Sequence, residues 1–387
     1  MNVLVLPSFY TSAEWPVRGI FFKEQALALQ RNGQSVSVVY VEPRSLHGFA
    51  FHKIRENHFQ TSLSYEDGLT TLRAHHWNLL TQLTPGAYVW TWFSEKLVDQ
   101  FIRRFGPPHI IHAHNSLWAG YTASSVARKH NIPFVITEHS TGFPMNSLST
   151  MEKYFARKSF AKADAIICVS QGLASAVQPY CPERSITVVP NVIQTDFFFL
   201  PPQRSQTALY VFLGIAHLVE RKGFKTLINA FAQVLRTNAN VRLEIGGDGP
   251  ERKKLHELCK SLGIERSVLF LGSLSREQVR DALWRAHAFV LPSYLETFGV
   301  VLLEAMSTGL PVIATKCGGP EFFVDSKSGI IIEPGDEHGL AEAMQTVMHS
   351  THYSAECIHR RIVDNFSEKV FAESLISVYD NVLRDRK

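Results

Sequence analysis

SYLETFGVVLLEAMSTGLPV, residues 293–312, sets two glutamates, Glu296 and Glu304, on either side of a seven-residue run that carries no charge. The apolar run Ala288–Leu291 just before it reads as a short buried strand stopped at Pro292. Gly309 followed by Pro311 is a helix stop, so a helix is expected from about Phe298 to Thr308, with the next strand at Pro311–Ala314. Glu296 then falls in the loop at the carboxyl edge of a parallel sheet, where open α/β sheets bind ligands. Glu304 lies some six residues into the helix, roughly 9 Å along its axis, too far for the two carboxylates to share a proton. The spacing suggests that each acid grips a different end of an elongated ligand, while the helix N-terminus between them offers amides and a positive dipole to an anion. A nucleoside diphosphate sugar has that layout. The plainer reading, an exposed loop acid and a helix acid paired with some cation, stays open. It is weakened at Glu304 because Val300–Leu303 and Ala305-Met306 are expected to be buried on every side.

Short β-branched runs bounded by turn residues recur in both halves, separated by amphipathic stretches, the pattern of parallel sheets. Strands are expected near Asn2–Leu6, Ser35–Val41, His109–His112, Pro133–Thr137, Ala165–Val169 and Ile186–Val189. A second set is expected near Ala208–Leu213, Asn240–Ile245, Val268–Leu271, Ala288–Leu291, Pro311–Ala314 and Gly329–Ile332. The chain is therefore α/β, with two Rossmann-like, doubly wound domains, 1–192 and 193–366. The last helix, about Ser367–Leu383, follows the completed second sheet and is expected to pack back on the first domain. Residues 44–106 break the rhythm and are rich in rings, including Phe49, Phe51, Phe59, Trp77, Tyr88, Trp90, Trp92 and Phe93. These rings suit an acceptor sugar, a lipid interface, or helices packed on the sheet.

The 387 residues, 45% hydrophobic and 19% charged, are ordinary globular composition. Five scattered cysteines with no CxxC pair argue against a disulfide framework or zinc site and fit a reducing, cytoplasmic compartment. No stretch reads as a signal peptide or approaches the ~20 apolar residues of a membrane span. Residues 1–190 carry a net charge of +5 and the remainder −1. A basic first half suits peripheral contact with an anionic membrane, and equally an ordinary solvated surface; nothing points to nucleic acid. Gly246-Gly247-Asp248-Gly249-Pro250 fails as a dinucleotide fingerprint because Arg252 stands at the third glycine position, which disfavours a dehydrogenase. His112 and His114 share a strand face, but no third ligand at metal-binding spacing is evident, so no metal is expected.

Pro292-Ser293, Glu296, Phe298-Gly299, Glu304-Ala305, Gly309, Pro311-Val312 and Gly318-Gly319 together resemble the E-x7-E signature of glycosyltransferase family 4, retaining enzymes of the GT-B fold. Gly19-Ile20-Phe21, His112-Ala113-His114, Glu138-His139, Pro190-Asn191, Arg221-Lys222-Gly223 and Gly247-Asp248-Gly249-Pro250 extend the resemblance over nearly the whole chain. It implies two domains facing across a cleft, with the donor mainly on the second and the acceptor, a glycan or lipid-linked sugar, mainly on the first. Glu296 and His139 would contact the transferred sugar. The loop from Thr297 through Phe298, Gly299 and Val300 would meet sugar or phosphate oxygens, and Glu304 the ribose hydroxyls. Gly19 would admit close backbone approach, the backbone around Gly272 and Leu274 would read the base, and Gly247 belongs to the same donor side. Lys222 would stabilise the leaving diphosphate. Family members usually carry an arginine five or six residues before that lysine, where this chain has Ala216 and His217, so Arg221, Arg18 or His217 would supply the second charge. The chain has no Asp-x-Asp metal clamp, so metal-independent transfer without a cofactor is expected. The resemblance also leaves room for a sugar-nucleotide-binding subunit of a partner transferase, or a GT-B-type UDP-N-acetylglucosamine epimerase. Bacterial polysaccharide, capsule or lipopolysaccharide synthesis, at the inner face of the cytoplasmic membrane, is the pathway it implies.

Overall fold

A computed structural model describes residues 1–12, 18–44, 60–77, 84–203 and 209–386. The chain divides into two compact units, Met1–Val192 with Glu368–Lys387, and Ile193–Ser367. In the first, β1 (Asn2–Pro7), α1 (Ile20–Arg31) and β2 (Ser35–Arg44) are followed by β3 (Thr61–Glu66), β4 (Leu69–Trp77), α2 (Thr84–Phe105) and β5 (Ile110–His114). Then come α3 (Tyr121–His130), β6 (Phe134–Glu138), α4 (Thr150–Lys162), β7 (Ala165–Cys168), α5 (Gln171–Val177) and β8 (Ile186–Val188). Among the described residues the sheet order is β3-β4-β2-β1-β5-β6-β7-β8, parallel throughout except for the antiparallel edge pair β3/β4. The order reverses between β1 and β5, and their carboxyl ends open onto the loops that hold Gly19 and Asn115.

The second unit runs β9 (Tyr210–Ile215), α6 (Phe224–Thr237), β10 (Val241–Gly246), α7 (Arg252–Ser261), β11 (Val268–Gly272) and α8 (Arg276–Arg285). It continues with β12 (Ala288–Leu291), α9 (Val300–Ser307), β13 (Val312–Thr315), β14 (Gly329–Ile332), α10 (Glu337–His349) and α11 (Ala355–Phe366). Its parallel sheet is ordered β11-β10-β9-β12-β13-β14, the doubly wound order with its reversal between β9 and β12. Phe212, Leu243, Ile245, Val290 and Ile313 are fully buried from both sides, with Phe231 and Met344 packed against them. That is why these strands read as continuous apolar runs.

The last helix, α12 (Glu368–Asp385), belongs to the first unit: Phe371, Leu375, Tyr379 and Val382 join the core that contains Phe22, Ala26 and Leu29 of α1. Within 44–106, read as an interruption, the described residues add two strands to the sheet, β3 and β4. β4 pairs in parallel with β2 from Ser37↔Thr70 to Arg44↔Trp77. Trp90 is buried and donates its indole N–H to the Val41 carbonyl oxygen at 3.0 Å, whereas Tyr88 and Trp92 are exposed; Phe49, Phe51 and Phe59 lie outside the described residues. Among the described residues no helix is long and apolar enough to cross a membrane, and all five cysteines are free thiols.

Candidate functional site

The reversal between β9 and β12 fixes where the second unit presents side chains. The chain leaving β9 makes a tight turn at Glu220–Lys222, closed by Gly223 at φ 71°, and enters α6. A Cβ on Gly223 would sit 1.9 Å from the Pro292 carbonyl oxygen, so this turn packs directly on the end of β12. The Tyr294 amide donates to the Arg221 carbonyl at 2.8 Å and binds the two loops together. From this junction Lys222 Nζ reaches Glu296 Oε1 at 2.5 Å, and Ser293 Oγ donates to the same oxygen at 2.7 Å. Glu296 is buried, and its amide donates to the Cys317 carbonyl oxygen at 3.2 Å. Two residues expected to touch different parts of a ligand are thus ion-paired with each other.

The helix between the glutamates begins at Val300, two residues later than expected, because Gly299 adopts φ 96° and serves as the cap. Phe298 is buried, Thr297 and Val300 are half-buried, and the first amides of α9 have no partner within the helix. Glu304 sits at the fifth of eight helical positions and is half-buried, as are Val300 and Val301, while Leu302, Leu303, Ala305 and Met306 are fully buried. The expectation that Val300–Leu303 and Ala305-Met306 are all buried is therefore corrected at Val300 and Val301: with Glu304 they form the half-buried face of α9.

The remaining second-unit residues line the neighbouring loops. His217 is exposed, with its Nδ1 2.6 Å from the Asp248 carbonyl oxygen. Gly247 has φ 118°, its amide donates to the Gly272 carbonyl at 2.7 Å, and Leu274 packs over Gly246. Hence Lys222, Glu296, Ser293 and the start of α9 form one group, and His217, Gly247, Gly272 and Leu274 an adjoining one along the same sheet edge.

In the first unit Gly19, at φ 72°, caps α1 where a Cβ would lie 2.9 Å from the Phe9 carbonyl, and Arg18 is exposed beside the Phe9 ring. His139, at the end of β6, is buried between the rings of Phe21 and Phe22. Its Nε2 lies 3.2 Å from Nδ1 of His114, and its own Nδ1 has no partner. His112 bonds Thr137 Oγ1 and the Tyr379 hydroxyl, both at 2.7 Å. Burial pushes His112 and His139 down to about 3 and His114 well below its usual value, so all three rings are neutral near pH 7. His139 is the third ring that spacing along one strand could not reveal, since it comes from the adjacent strand. Among the described residues, no group of three or more His, Cys, Asp or Glu is placed to hold a metal ion. Glu138, assigned no contact from sequence, is a buried anchor: its carboxylate accepts from the Ser116 hydroxyl and from the amides of Ser116, His139 and Ser140. Burial raises its pKa against those four donors.

Residues 19–197 match the family model "Glycosyltransferase Family 4", and residues 199–362 match "Glycosyl transferases group 1". The lipopolysaccharide core biosynthesis glycosyltransferase LpsE of Rhizobium meliloti is 31% identical over 242 residues, 60% of this chain and 68% of that protein. The chain belongs to the GT-B glycosyltransferases. Another relative of this glycosyltransferase is the phosphatidylinositol N-acetylglucosaminyltransferase gpi3 subunit of Schizosaccharomyces pombe, 28% identical over 70% of the chain; the match spans 61% of the gpi3 subunit's length. Sucrose-phosphate synthase of Thermosynechococcus elongatus shares the fold at TM-score 0.79 and 18% identity, each chain covered in full. HepE of Anabaena, solved in complex with UDP, does so at TM-score 0.73 and 21% identity, with 98% of this chain and all of HepE covered. The GT-B assignment gives the second unit's sheet order, with its reversal between β9 and β12, a family meaning.

Proposed function

We propose that this glycosyltransferase moves a sugar from a nucleoside diphosphate donor to a glycan or lipid-linked acceptor, with retention of anomeric configuration and no metal, in polysaccharide, capsule or lipopolysaccharide assembly. The observation that carries the reading is the Lys222–Glu296 pair, held at 2.5 Å beside the start of α9 and at the sheet's reversal. Before a donor binds, each of these charges compensates the other. The β-phosphate of an incoming donor competes for Lys222, which frees Glu296 to accept hydroxyls of the transferred sugar. Amides at the start of α9 meet the remaining oxygens, and Glu304, one turn on, accepts the ribose hydroxyls.

As the anomeric C–O bond breaks, its electron pair passes to the β-phosphate oxygen, where Lys222 stabilises the growing charge. The acceptor oxygen bonds the anomeric carbon on the same face, and its proton goes to the departing phosphate, so no side chain serves as a dedicated base. The absence of an Asp-x-Asp motif leaves this charge to Lys222, with Arg221 and His217 nearby. The names of LpsE and of UDP-bound HepE support a nucleotide-sugar donor and a surface-glycan pathway.

Thermal-shift measurements against a panel of nucleotide sugars test the donor, because a ligand bound only to the folded chain raises its melting temperature. With the donor identified, Lys222→Ala is expected to lower kcat about 100- to 1000-fold with a smaller effect on binding. Glu304→Ala is expected to weaken donor binding about 10- to 100-fold. Near-wild-type kinetics in both variants refute the assignment. A chain that binds donor but neither hydrolyses nor transfers it is instead a sugar-nucleotide-binding subunit, and turnover that consumes no acceptor indicates an epimerase.

A further inference from the structure

The turn at Glu220–Lys222 has a second side. Lys222 leaves it toward Glu296, whereas Val219, Glu220 and Arg221 line a cavity of about 1140 Å³ whose walls come entirely from the second unit. The start of α6, helix α7 and Tyr294 complete those walls, and neither Lys222 nor Glu296 is among them. The volume is in the range of small-molecule sites.

The floor of the cavity is apolar: Phe224 and Leu255 are buried, and Val219 and Leu258 are half-buried. Most of the acids around it are answered from α7 itself. Glu251 holds Lys254 at 2.7 Å, Glu257 lies 4.0 Å from Lys253, and Lys254 also sits in the field of Glu220. Lys225, by contrast, is paired with no carboxylate among the described residues, and Arg221 precedes it on the turn at the same end of the cavity. An apolar floor with surplus positive charge at one end suits an apolar body that carries a single anionic head.

Position gives the cavity leverage over the ion pair. Arg221 adjoins Lys222 in the chain, Tyr294 lies two residues before Glu296, and the Tyr294 amide donates to the Arg221 carbonyl at 2.8 Å. The Tyr294 hydroxyl lies 3.2 Å from Thr226 Oγ1, which ties the same loop to α6. A molecule seated here packs against both loops that carry the pair. Those loops frame the cavity while Lys222 is held by Glu296. A ligand that fits it selects this arrangement and opposes the transfer of Lys222 to a donor phosphate.

We propose that the cavity between α6 and α7 is an effector site for a small amphiphilic anion, an apolar body bearing one phosphate, sulfonate or carboxylate, and that its occupancy weakens donor binding. The anion site stands by itself; the inhibition rests on the donor reading of Lys222 and Glu296.

Anilinonaphthalene sulfonate is the probe, because its fluorescence rises in an apolar site, and one molecule is expected to bind per chain. Lys225→Glu is expected to weaken binding about 10-fold by removing a charge-assisted contact. Leu258→Glu is expected to weaken it about 10- to 100-fold by spoiling the apolar floor. Lys369→Glu, an exposed change elsewhere, is expected to leave it unaltered. Naphthyl phosphate is expected to displace the probe, and neutral naphthol is not. Equal binding by wild type and by the first two variants overturns the site, and displacement by naphthol as readily as by naphthyl phosphate overturns its preference for an anion. The probe is further expected to raise the apparent Kd of UDP about 5- to 10-fold and then to plateau, an effect that Lys225→Glu loses. A Kd that climbs without limit shows one shared site, and an unchanged Kd shows no coupling; either result overturns the proposal. A chain that binds the probe but no UDP refutes the donor reading, and the inhibition with it, while the anion site is upheld.

Discussion

At the level of single residues, buried groups are tolerated only where their protonation suits the interior. His112, His114 and His139 lie within one cluster, and burial holds the first and last down to about 3. Above about pH 6.5 all three are neutral in the folded and the unfolded chain. Below 6.5 the unfolded rings take up protons while the buried rings resist, His112 and His139 until about pH 3, so protons favour the unfolded chain. Stability is therefore fully present above pH 6.5 and is lost as pH falls from there toward 3, by up to about 1.4 kcal/mol per pH unit for each ring. Urea unfolding is expected to show a clearly lower midpoint at about pH 5.5 than at about pH 7.5, with His112→Asn flattening that slope. A midpoint independent of pH in the wild-type chain would refute neutral burial of the cluster.

At the level of elements, the loops at the carboxyl edge of the second sheet are held at distances that only glycine permits. Gly247 combines φ 118° with a position where a Cβ would meet the Ala216 carbonyl oxygen at 1.9 Å. Gly247→Ala is expected to cost about 2–4 kcal/mol and to weaken donor binding, because the β9 loop must move. Gly263 also has positive φ, 69°, but nothing lies within 4 Å of its missing Cβ, so Gly263→Ala is expected to cost only about 1 kcal/mol. Differential scanning calorimetry of the two variants separates collision from backbone preference, and equal losses would contradict the contact. These same loops mark how far sequence reading reached. Fully buried strands such as β12 and β13 were legible because both faces are apolar. Strand β4 was not, because it carries Thr, Arg and His inward: Arg73 is buried against Glu42 and Glu66 at 3.1 Å each, and His76 stacks on Phe93. Strand β3, TSLSYE, is a polar edge with no buried residue to signal it. The motif residues could be picked out from the sequence, but not the ion pair between Lys222 and Glu296, which joins positions 74 apart through the packing of Gly223 on Pro292.

At the level of the whole molecule, the chain completes its second sheet and then sends α12 back to the first unit, so that unit is assembled from both ends of the sequence. Leu375 is buried in the core with α1, and Tyr379 threads its hydroxyl to Nδ1 of His112, 267 residues away. The helix is thus an integral layer of the first unit. Leu375→Ala is expected to destabilise that unit by about 2–4 kcal/mol through lost burial and the cavity left behind. Tyr379→Phe keeps the ring but leaves a buried imidazole nitrogen without its hydrogen-bond partner, an expected cost of about 1–3 kcal/mol. Hydrogen exchange followed peptide by peptide distinguishes the units: in both variants protection is expected to fall across β1, β5 and α1 while β9, β10 and β12 keep theirs. Exchange that rises equally in both sheets would show that α12 stabilises the chain as one cooperative body, and the assignment of this helix to the first unit alone would fail.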